Sequence, residues 1–563
     1  MTAEQQKRDY LLLTLLSAAI SVTALIFYLR HNELLLYGDA VAHINIARRV
    51  FDSRTPGIFQ LGTVWLPLPH LMEIPFIVND WMWRTGVGAA IPSMLAYIAG
   101  ALGIFRLVRP GASRASAWIA ALIYVLNPNL IYLQSTAMTE PLYLAFFIWT
   151  VVHFADFVRL RGEDPLKARG SLGYSSLPKT FSPGLKPTNL RRLYAALKGR
   201  STTTLLHSSS GSALLKCALV LSAAMLTRYD AWFLAAVLAI AITAMLTSSR
   251  LNPASTRIGL LQFALVTGAT AALWFGYNYA VYGNALEFAN GPYSARAIEH
   301  RTRSAAMATY PGENSPRDAT LYFLKVARLN MGQGRAEYLL PVTAFVALIA
   351  MLYFSHRRWP WLLLWAPLPF YAASIAWGSV PLYFPDWYPF SYYNVRYGLQ
   401  LLPAFAVFAA LGCEFLRNFF RLRWVLATAF LLIFLSYFSE WRSTPICLRE
   451  ARVNGAARMK FEQQLASALE KLPPSATLLM NCGAHSGAVQ AAGVHFSRII
   501  RETNFREWQQ ALTQPARSAD YLIAFPDDEV WRAAQRNQTE LDLLERIGSS
   551  GSNEAFLYRS LRK

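Results

Sequence analysis

Long apolar stretches alternate with short charged turns along most of this chain. Eleven stretches are long and apolar enough to be interpreted as membrane-spanning helices, since a span takes about 20 residues. They cover residues 11–29, 87–107, 116–134, 141–158, 213–227, 231–247, 258–280, 338–354, 360–378, 397–415 and 424–440. From residue 443 onward, short apolar runs mix with polar helical patterns. The pattern predicts a polytopic α-helical membrane protein of about eleven spans, followed by a small soluble α/β domain.

The distribution of charge sets the expected orientation of the spans. Lys7 and Arg8 precede the first span, and the stretch from Arg159 to Arg200 holds ten Lys and Arg residues against two acids. The N-terminus and the loop 159–212 are therefore expected on the cytoplasmic side. Residues 1–442 then form a membrane module with large external loops at 31–86 and 282–336. Residues 443–563 form an external domain.

Composition supports this organisation. The 563 residues are 54% hydrophobic and only 15% charged. The net charge of +20 fits positive cytoplasmic loops, and because the basic residues are scattered between spans, they predict no nucleic-acid partner. No small-residue cleavage site follows residues 11–29, which are predicted to remain as the first span.

The C-terminal region carries the pattern of a small α/β domain. Thr477–Met480 and Tyr521–Phe525 are predicted to form buried strands, and residues 461–471 and 529–537 helices. The domain could pack on the external face of the membrane module or recognise an acceptor, and composition does not decide between these roles. Cys447 and Cys482 could form a disulfide if the domain is exported.

The first candidate site opens a helix in the first external loop. Asp39 follows Gly38, and apolar residues then recur at helical spacing, which predicts a helix that can lie on the membrane surface. His43 shares a face with Asp39, and Arg48 and Arg49 follow. This combination could handle a lipid-linked phosphate. The alternatives are that Asp39 is a helix N-cap and that the arginines extend to lipid headgroups.

Further candidates stand at other external span ends. Glu140 follows the third span, although an acid at that position can also be an ordinary helix start. Arg228 could face a phosphate or pair with Asp230. Arg396 and Tyr397 open the span at 397, where they could contact a lipid phosphate or belong to an aromatic belt.

Additional polar groups lie in the two large external loops. His70 and Glu73 are three residues apart and could bind a substrate or a divalent metal, but only two ligands are visible locally. Several arginines of the second external loop could meet an anionic ligand. They are Arg296, Arg301, Arg303, Arg317 and Arg335. The sequence contains no P-loop and no dinucleotide-binding motif, which disfavours ATP-driven transport.

Over roughly residues 10–440, this plan resembles the GT-C glycosyltransferases. It is most similar to the family of protein O-mannosyltransferases and bacterial lipid A aminoarabinose transferases. The matching segments are Asp39 in the first loop, Pro67-Leu68-Pro69-His70 at the family's Pro-Pro-Leu position, Glu140 after the third span, Asn278–Phe288 at a loop entry, and Asn394-Val395-Arg396-Tyr397 followed by Pro403. The family often has an Asp-Glu pair in this loop, whereas Ala40 follows Asp39 here. This difference weakens the inference of protein O-mannosylation activity. Leu66 stands where the family often has a basic residue, just before the Pro-Pro-Leu position.

The resemblance implies an inverting glycosyltransferase of the inner membrane that uses a polyprenyl-phosphate sugar and a lipid, glycan or protein acceptor on the external face. Asp39 would be the general base, with Glu140 and His43 orienting it or the acceptor. The donor phosphate would meet arginines. The predicted phosphate contacts are Arg48, Arg49, Arg228 and Arg396, and the predicted substrate-pocket residues are His70, Glu73, Asp230 and Tyr397.

Two other classes of function remain open at this stage. A lipid or solute transporter, or flippase, would place charges near the bilayer midplane and show internal repeats. A non-catalytic assembly protein would use its external domain to bind a partner and would not need acids from two separate loops to converge. The position of Asp39 relative to Glu140 therefore distinguishes a transferase from an assembly protein, because a transferase requires both acids in one small cavity.

Overall fold

The computed structural model describes residues 3–162, 211–248, 253–302, 309–354, 356–417, 420–550 and 553–562. The predicted cytoplasmic loop 159–212 lies almost entirely outside these described residues. The remainder is mostly helical, with one small sheet near the C-terminus.

Within the described ranges, seven helical segments are long and apolar enough to cross a membrane. They are Glu4–Arg30, Val87–Val108, Glu140–Leu160, Ile258–Tyr282, Gly334–Tyr353, Val395–Leu416 and Leu422–Leu469. Three shorter apolar helices, Arg114–Val125, Gly211–Met225 and Asp230–Met245, coincide with further predicted spans. The predicted class of polytopic helical membrane protein is thereby confirmed.

Two predicted spans are interrupted where the sequence places proline. The predicted span 116–134 divides at Asn127, whose side chain accepts from the Leu130 N–H and caps a second helix, Pro128–Leu133. The predicted span 360–378 divides into the 3₁₀ helix His356–Trp365 and the α-helix Pro367–Trp377. Proline favours a helix start and disrupts a helix interior, so each break falls at an expected position.

Short helices occupy the two predicted external loops between these long ones. The first loop contains the helices Gly38–Arg49, Leu68–Glu73 and Asp80–Thr85 and the 3₁₀ turns Ile58–Leu61 and Ile74–Phe76. The second contains the helices Glu287–Asn290, Ala295–Thr302 and Pro316–Leu329 and the 3₁₀ turn Gly334–Tyr338.

The helix Gly38–Arg49 is buried inside the protein. Eight of its 12 residues are buried, and Asn45 donates to Gln490 of the C-terminal region (2.9 Å) while accepting from the indole of Trp83 (3.0 Å). The expectation that this helix lies on the membrane surface is therefore wrong. Its apolar spacing is real, but the surface that covers it is protein rather than lipid.

A five-stranded sheet forms the centre of the C-terminal region. The strands are β1 (Leu478–Met480), β2 (Ile499–Ile500), β3 (Tyr521–Ala524), β4 (Leu541–Ser550) and β5 (Asn553–Ser560), in the order β2-β1-β3-β5-β4. β1 pairs in parallel with β2 and β3, whereas β5 pairs antiparallel with β3 and β4. The helices of this region are Ile446–Leu469, Ser486–Ala492, Arg506–Thr513, Pro515–Ser518 and Glu529–Arg536. The predicted small α/β unit is confirmed.

The sheet joins the core of the membrane module through one of its faces. Leu478 and Ile523 belong to the large apolar core that also contains the spans, whereas Leu479 and Leu522 face a separate cluster on the outer side. This division follows from the two-residue alternation of a strand. All four cysteines are free and buried, so Cys447 and Cys482 do not form a disulfide.

The helix Ile446–Leu469 approaches the first external loop closely at Gly455. A Cβ atom at Gly455 would lie 2.4 Å from the backbone oxygen of Leu36, so a larger residue would force the two segments apart. This contact holds the C-terminal region beside the start of the helix that carries Asp39.

Candidate functional site

A cavity of about 490 Å³ gathers charged side chains from segments that are far apart in the sequence. Both candidate acids, Asp39 and Glu140, line it. So do the other candidates His43, Arg228, Asp230, Arg396 and Tyr397. The cavity wall also contains apolar and aromatic groups, including Trp65, Met138, Phe288, Phe370, Tyr371 and Trp377. Asp39 and Glu140 therefore lie in one cavity, which is the arrangement expected of a transferase.

Arg396 connects the two acids. Its Nη2 lies 2.5 Å from Oδ2 of Asp39, and its Nε lies 3.2 Å from Oε1 of Glu140. Glu140 is fully buried, whereas the Asp39 side chain is 39% exposed. Asp39 is the second residue of its helix and Tyr37 takes the N-cap position, so Asp39 is not an N-cap. Its carboxylate is held by a guanidinium and opens to the cavity.

Arg228 forms a second hydrogen-bonded group on the same wall. Its Nη1 donates to Oε1 of Glu140 (3.0 Å), and its Nη2 donates to the hydroxyl of Tyr371 (2.9 Å). Tyr371 in turn donates to Oδ2 of Asp230 (2.6 Å). The ring of Tyr397 lies between the two arginines, 5.0 Å from Arg228 and 5.1 Å from Arg396, as in cation–π contacts.

Glu450, from the C-terminal region, holds both ends of this arrangement. It is buried, accepts from the hydroxyl of Tyr37 at 2.7 Å and accepts from the backbone N–H of Val395 at 3.2 Å. Tyr37 directly precedes the helix that carries Asp39, and Val395 directly precedes Arg396. One carboxylate therefore fixes the two segments that carry the central ion pair.

His43 and His70 form a buried pair beside the cavity. Nδ1 of His43 lies 2.8 Å from Nε2 of His70, so one imidazole donates to the other. Burial lowers the pKa of His43 to about 4, against the opposing charges of Asp39 and Glu140, and burial also lowers the pKa of His70 well below its usual value. Both rings are neutral near pH 7.

Neutral burial of His43 makes stability depend on pH. Because the folded pKa of about 4 lies below the unfolded value of about 6.5, the unfolded chain binds more protons between these values. We expect the full stability above about pH 6.5 and a loss on the order of 3 kcal/mol as the pH falls through 4. Thermal unfolding in detergent measures this, and a His43→Gln variant should lose less stability over the same range. Parallel pH profiles for the two proteins would contradict the expectation.

A second cavity, of about 510 Å³, adjoins the first. Asp39, Trp65 and Arg396 line both, so the Asp39–Arg396 ion pair stands in the shared wall. The second cavity adds an aromatic lining from Tyr310, Tyr383 and Tyr393. Two ligands could approach Asp39 from different sides.

Four predicted site residues do not line the first cavity. Arg48 is buried and pairs with Asp52 (2.9 Å) and Asp80 (2.7 Å). Arg49 donates to the backbone oxygen of Gln60 (3.3 Å). Glu73 is buried, and burial raises the pKa of its carboxyl group well above the usual value. The fourth, His70, is connected to the site through its hydrogen bond with His43.

Arg296, one of the second-loop arginines, also lines the first cavity. Unlike Arg228 and Arg396, it contacts no carboxylate among the residues that the structure describes. Tyr371 and Glu450 were not predicted. A tyrosine inside an apolar span and an acid in a charged helix are common, and neither sequence position carries a signal of its own.

The described residues show no ready-made site for a divalent metal. Over the described ranges, no group of three or more His, Cys, Asp or Glu side chains is placed to hold a metal ion. His70 and Glu73, in particular, do not come together with a third ligand from the described residues.

Fold and site together define a polytopic helical membrane protein with a charged cavity beside a small α/β domain. No protein-family model and no curated protein sequence matches the chain. Among solved structures it is similar to ArnT from Cupriavidus metallidurans in the apo state, with 11% identity, a TM-score of 0.55, and coverage of 97% of this chain and 98% of that one. The same protein bound to undecaprenyl phosphate gives 12% identity, a TM-score of 0.55, and coverage of 99% and 98%.

The chain therefore has the fold of ArnT, a GT-C protein, over nearly its whole length. The fold-level resemblance predicted from the sequence is confirmed. A more distant similarity is to the Archaeoglobus fulgidus oligosaccharyltransferase, with 12% identity, a TM-score of 0.46, and coverage of 91% of this chain and 67% of that one.

Proposed function

We propose that this protein is a membrane glycosyltransferase that moves a sugar from a polyprenyl-phosphate donor to an acceptor on the external face. The observation that carries the proposal is the position of Asp39. A half-exposed carboxylate, oriented by Arg396, stands in the wall shared by two cavities. The fold supports the choice of donor, because the ArnT structure of the same fold is bound to undecaprenyl phosphate.

In the proposed reaction, Asp39 is the general base. Among the described residues, its only side-chain hydrogen bond is the one that Oδ2 accepts from Arg396, so Oδ1 can accept from an acceptor hydroxyl. Asp39 removes the hydroxyl proton as the oxygen attacks the anomeric carbon. The bond from that carbon to the phosphate oxygen breaks, its electron pair leaves with the polyprenyl phosphate, and the configuration inverts. Glu140 orients the base through their shared contact with Arg396.

The charge balance of the cavity favours Arg296 as an added phosphate contact. Arg228 and Arg396 face four carboxylates, those of Asp39, Glu140, Asp230 and Glu450. Their positive charge is thus already offset. A guanidinium without an acidic partner is free to neutralise a leaving phosphate and stabilise the charge that develops on it.

The test of this function is transfer from defined donors. Membranes containing the protein are incubated with labelled polyprenyl-phosphate sugars, and label is followed into lipid, glycan and protein fractions. We expect transfer from at least one donor by the wild type, with release of polyprenyl phosphate. If the labelled donors instead cross the bilayer unchanged, the protein moves lipids rather than sugars and the proposal fails.

Arg296→Gln is expected to raise the KM for the donor by about tenfold, as expected for loss of one charge-assisted contact. Arg301→Gln is the matched control. Arg301 lies on the same helix, Ala295–Thr302, but binds the Pro292 backbone oxygen and does not line the cavity. Steady-state kinetics at varied donor concentration measure both. Equal effects of the two substitutions would remove Arg296 from the donor site.

A further inference from the structure

Two arginines meet where the first external loop contacts the C-terminal region, and both bind Gln60. Arg49 donates from Nη2 to the backbone oxygen of Gln60 (3.3 Å). Arg501 donates from Nη2 to the side-chain oxygen Oε1 of Gln60 (3.1 Å). The same nitrogen of Arg501 also contacts the Thr503 hydroxyl, and its guanidinium lies 5.4 Å from the ring of Phe496. Two like charges are thus held next to one residue.

Three of the six nitrogens on these two guanidinium groups are buried without an acceptor among the described residues. Arg501 is fully buried, yet its Nε and Nη1 have no hydrogen-bond partner among the described residues, and the same is true of Nε of Arg49. Buried polar groups are nearly always satisfied, and an unsatisfied charged donor is costly. An acceptor with several oxygens and negative charge would satisfy these three buried nitrogens from two cations together.

Nearby side chains do not supply that acceptor. Glu502 is the carboxylate whose charge acts on Arg49, but its Oε2 accepts from the backbone N–H of Cys482 (3.0 Å). Burial, followed by the charge of Arg501, lowers the pKa of Arg49 to about 9. Two guanidinium groups thus stand against one carboxylate, and the positive charge at this junction is only partly offset.

The position in the fold is one where ligands commonly bind. Arg501 directly follows β2, at the carboxyl end of the parallel strands β1, β2 and β3. Ligands of open α/β sheets bind outside this edge. Here the edge faces the loop of Gln60, and the same loop lines the first cavity four residues later at Val64.

We propose that Arg49 and Arg501 together bind one phosphate-like oxyanion at this junction. A phosphate carries close to two negative charges and several acceptor oxygens, which match two guanidinium groups with free donors. The anion joins the first external loop to the C-terminal domain. It is distinct from the donor phosphate at the cavity, and the proposal does not depend on the transfer reaction.

The test measures anion binding by the full-length protein in neutral detergent. Thermal unfolding is followed as inorganic phosphate is added at constant ionic strength, and separately with phosphatidic acid or phosphatidylcholine. We expect phosphate or phosphatidic acid, but not phosphatidylcholine, to raise Tm. A response to inorganic phosphate identifies a free phosphate as sufficient, whereas a response to phosphatidic acid alone identifies a lipid headgroup.

Single substitutions test whether Arg49 and Arg501 bind the anion. Arg49→Gln and Arg501→Met are expected to weaken the anion response at least tenfold, and Arg49→Gln should unfold at no lower temperature than wild type without phosphate, because it removes a charge that is only partly offset. If Arg501→Met does not fold, Arg501→Lys replaces it. Lysine keeps the positive charge but has a single nitrogen, so this variant should also weaken anion binding.

The control is Arg54→Gln. Arg54 pairs with Glu507 across the same junction (2.5 Å), and its loss should leave the anion response intact. No Tm response in the wild type, or unchanged responses in the Arg49 and Arg501 variants, would overturn the proposal.

Discussion

Asp39→Asn is expected to lower the transfer rate by about 10²- to 10⁴-fold, the usual contribution of a positioned general base. The amide cannot accept the hydroxyl proton at neutral pH, although it can still bond to Arg396. Because the side chain is 39% exposed and changes little in size, we expect the fold and the donor KM to persist. The effect should fall on kcat, as it does when an interaction specific to the transition state is lost.

Asp80→Asn is a matched control for this change. Asp80 is also an exposed aspartate of the first external loop, 55% exposed, and also pairs with a buried arginine, Arg48, at 2.7 Å. It does not line the cavity of Asp39. Transfer assays at saturating donor, with Tm measured in parallel, compare the two. Asp39→Asn with at least a tenth of the wild-type rate would show that another group takes the proton.

Arg396→Gln is expected to cause the largest combined loss, in activity and in stability. It leaves Glu140 fully buried with one cationic partner, Arg228, and releases Asp39 from its only hydrogen bond among the described residues. Removing one partner of a buried ion pair costs about 3–5 kcal/mol. We therefore expect a clear fall in Tm and little remaining transfer.

A second substitution separates stability from catalysis in this variant. Adding Glu140→Gln removes the carboxylate that Arg396→Gln leaves unbalanced, so the double variant should be more stable than the sum of the single losses predicts, by about 1–3 kcal/mol. Activity should remain low, because Asp39 is still not oriented. Additive losses of stability would mean that Glu140 and Arg396 do not act as a pair.

The control for nonspecific loss of an ion pair is Arg114→Gln. Arg114 pairs with Asp9, whose side chain is fully buried, at 2.5 Å, and neither residue lines the cavity. We expect a lower Tm with normal transfer per folded molecule. Equal losses of activity in the Arg114 and Arg396 variants would assign the effect of Arg396→Gln to unfolding alone.

The membrane fold was predictable because apolar length is a direct physical requirement of a span. The sequence also indicated the short strands around Leu479 and Leu522, whose residues are buried on both faces of the sheet. The location of the helix Gly38–Arg49 was not predictable. An amphipathic pattern indicates that one face of the helix is covered, but it does not show whether lipid or protein covers that face.

The candidate site was predictable in its residue types and only partly in its partners. Asp39, Glu140 and Arg396 could be named because charges at span ends are costly and rarely incidental. Their mutual contacts depend on how distant segments pack, which one sequence does not show. Arg48 illustrates the limit: its position beside His43 suggested a ligand contact, yet Asp52 and Asp80, also in the first loop, pair with it.

The hydrogen bonds that Glu450 accepts from Tyr37 and Val395 have a consequence for biogenesis. Asp39 emerges from the ribosome more than 400 residues before Glu450, and the carboxylate of Glu450 links Tyr37 to Val395. This link between the segments of Asp39 and Arg396 can form only after Glu450 itself has been synthesised and has docked against them. Under the proposed function, we therefore expect a translation product that ends before Glu450 to be inactive in transfer.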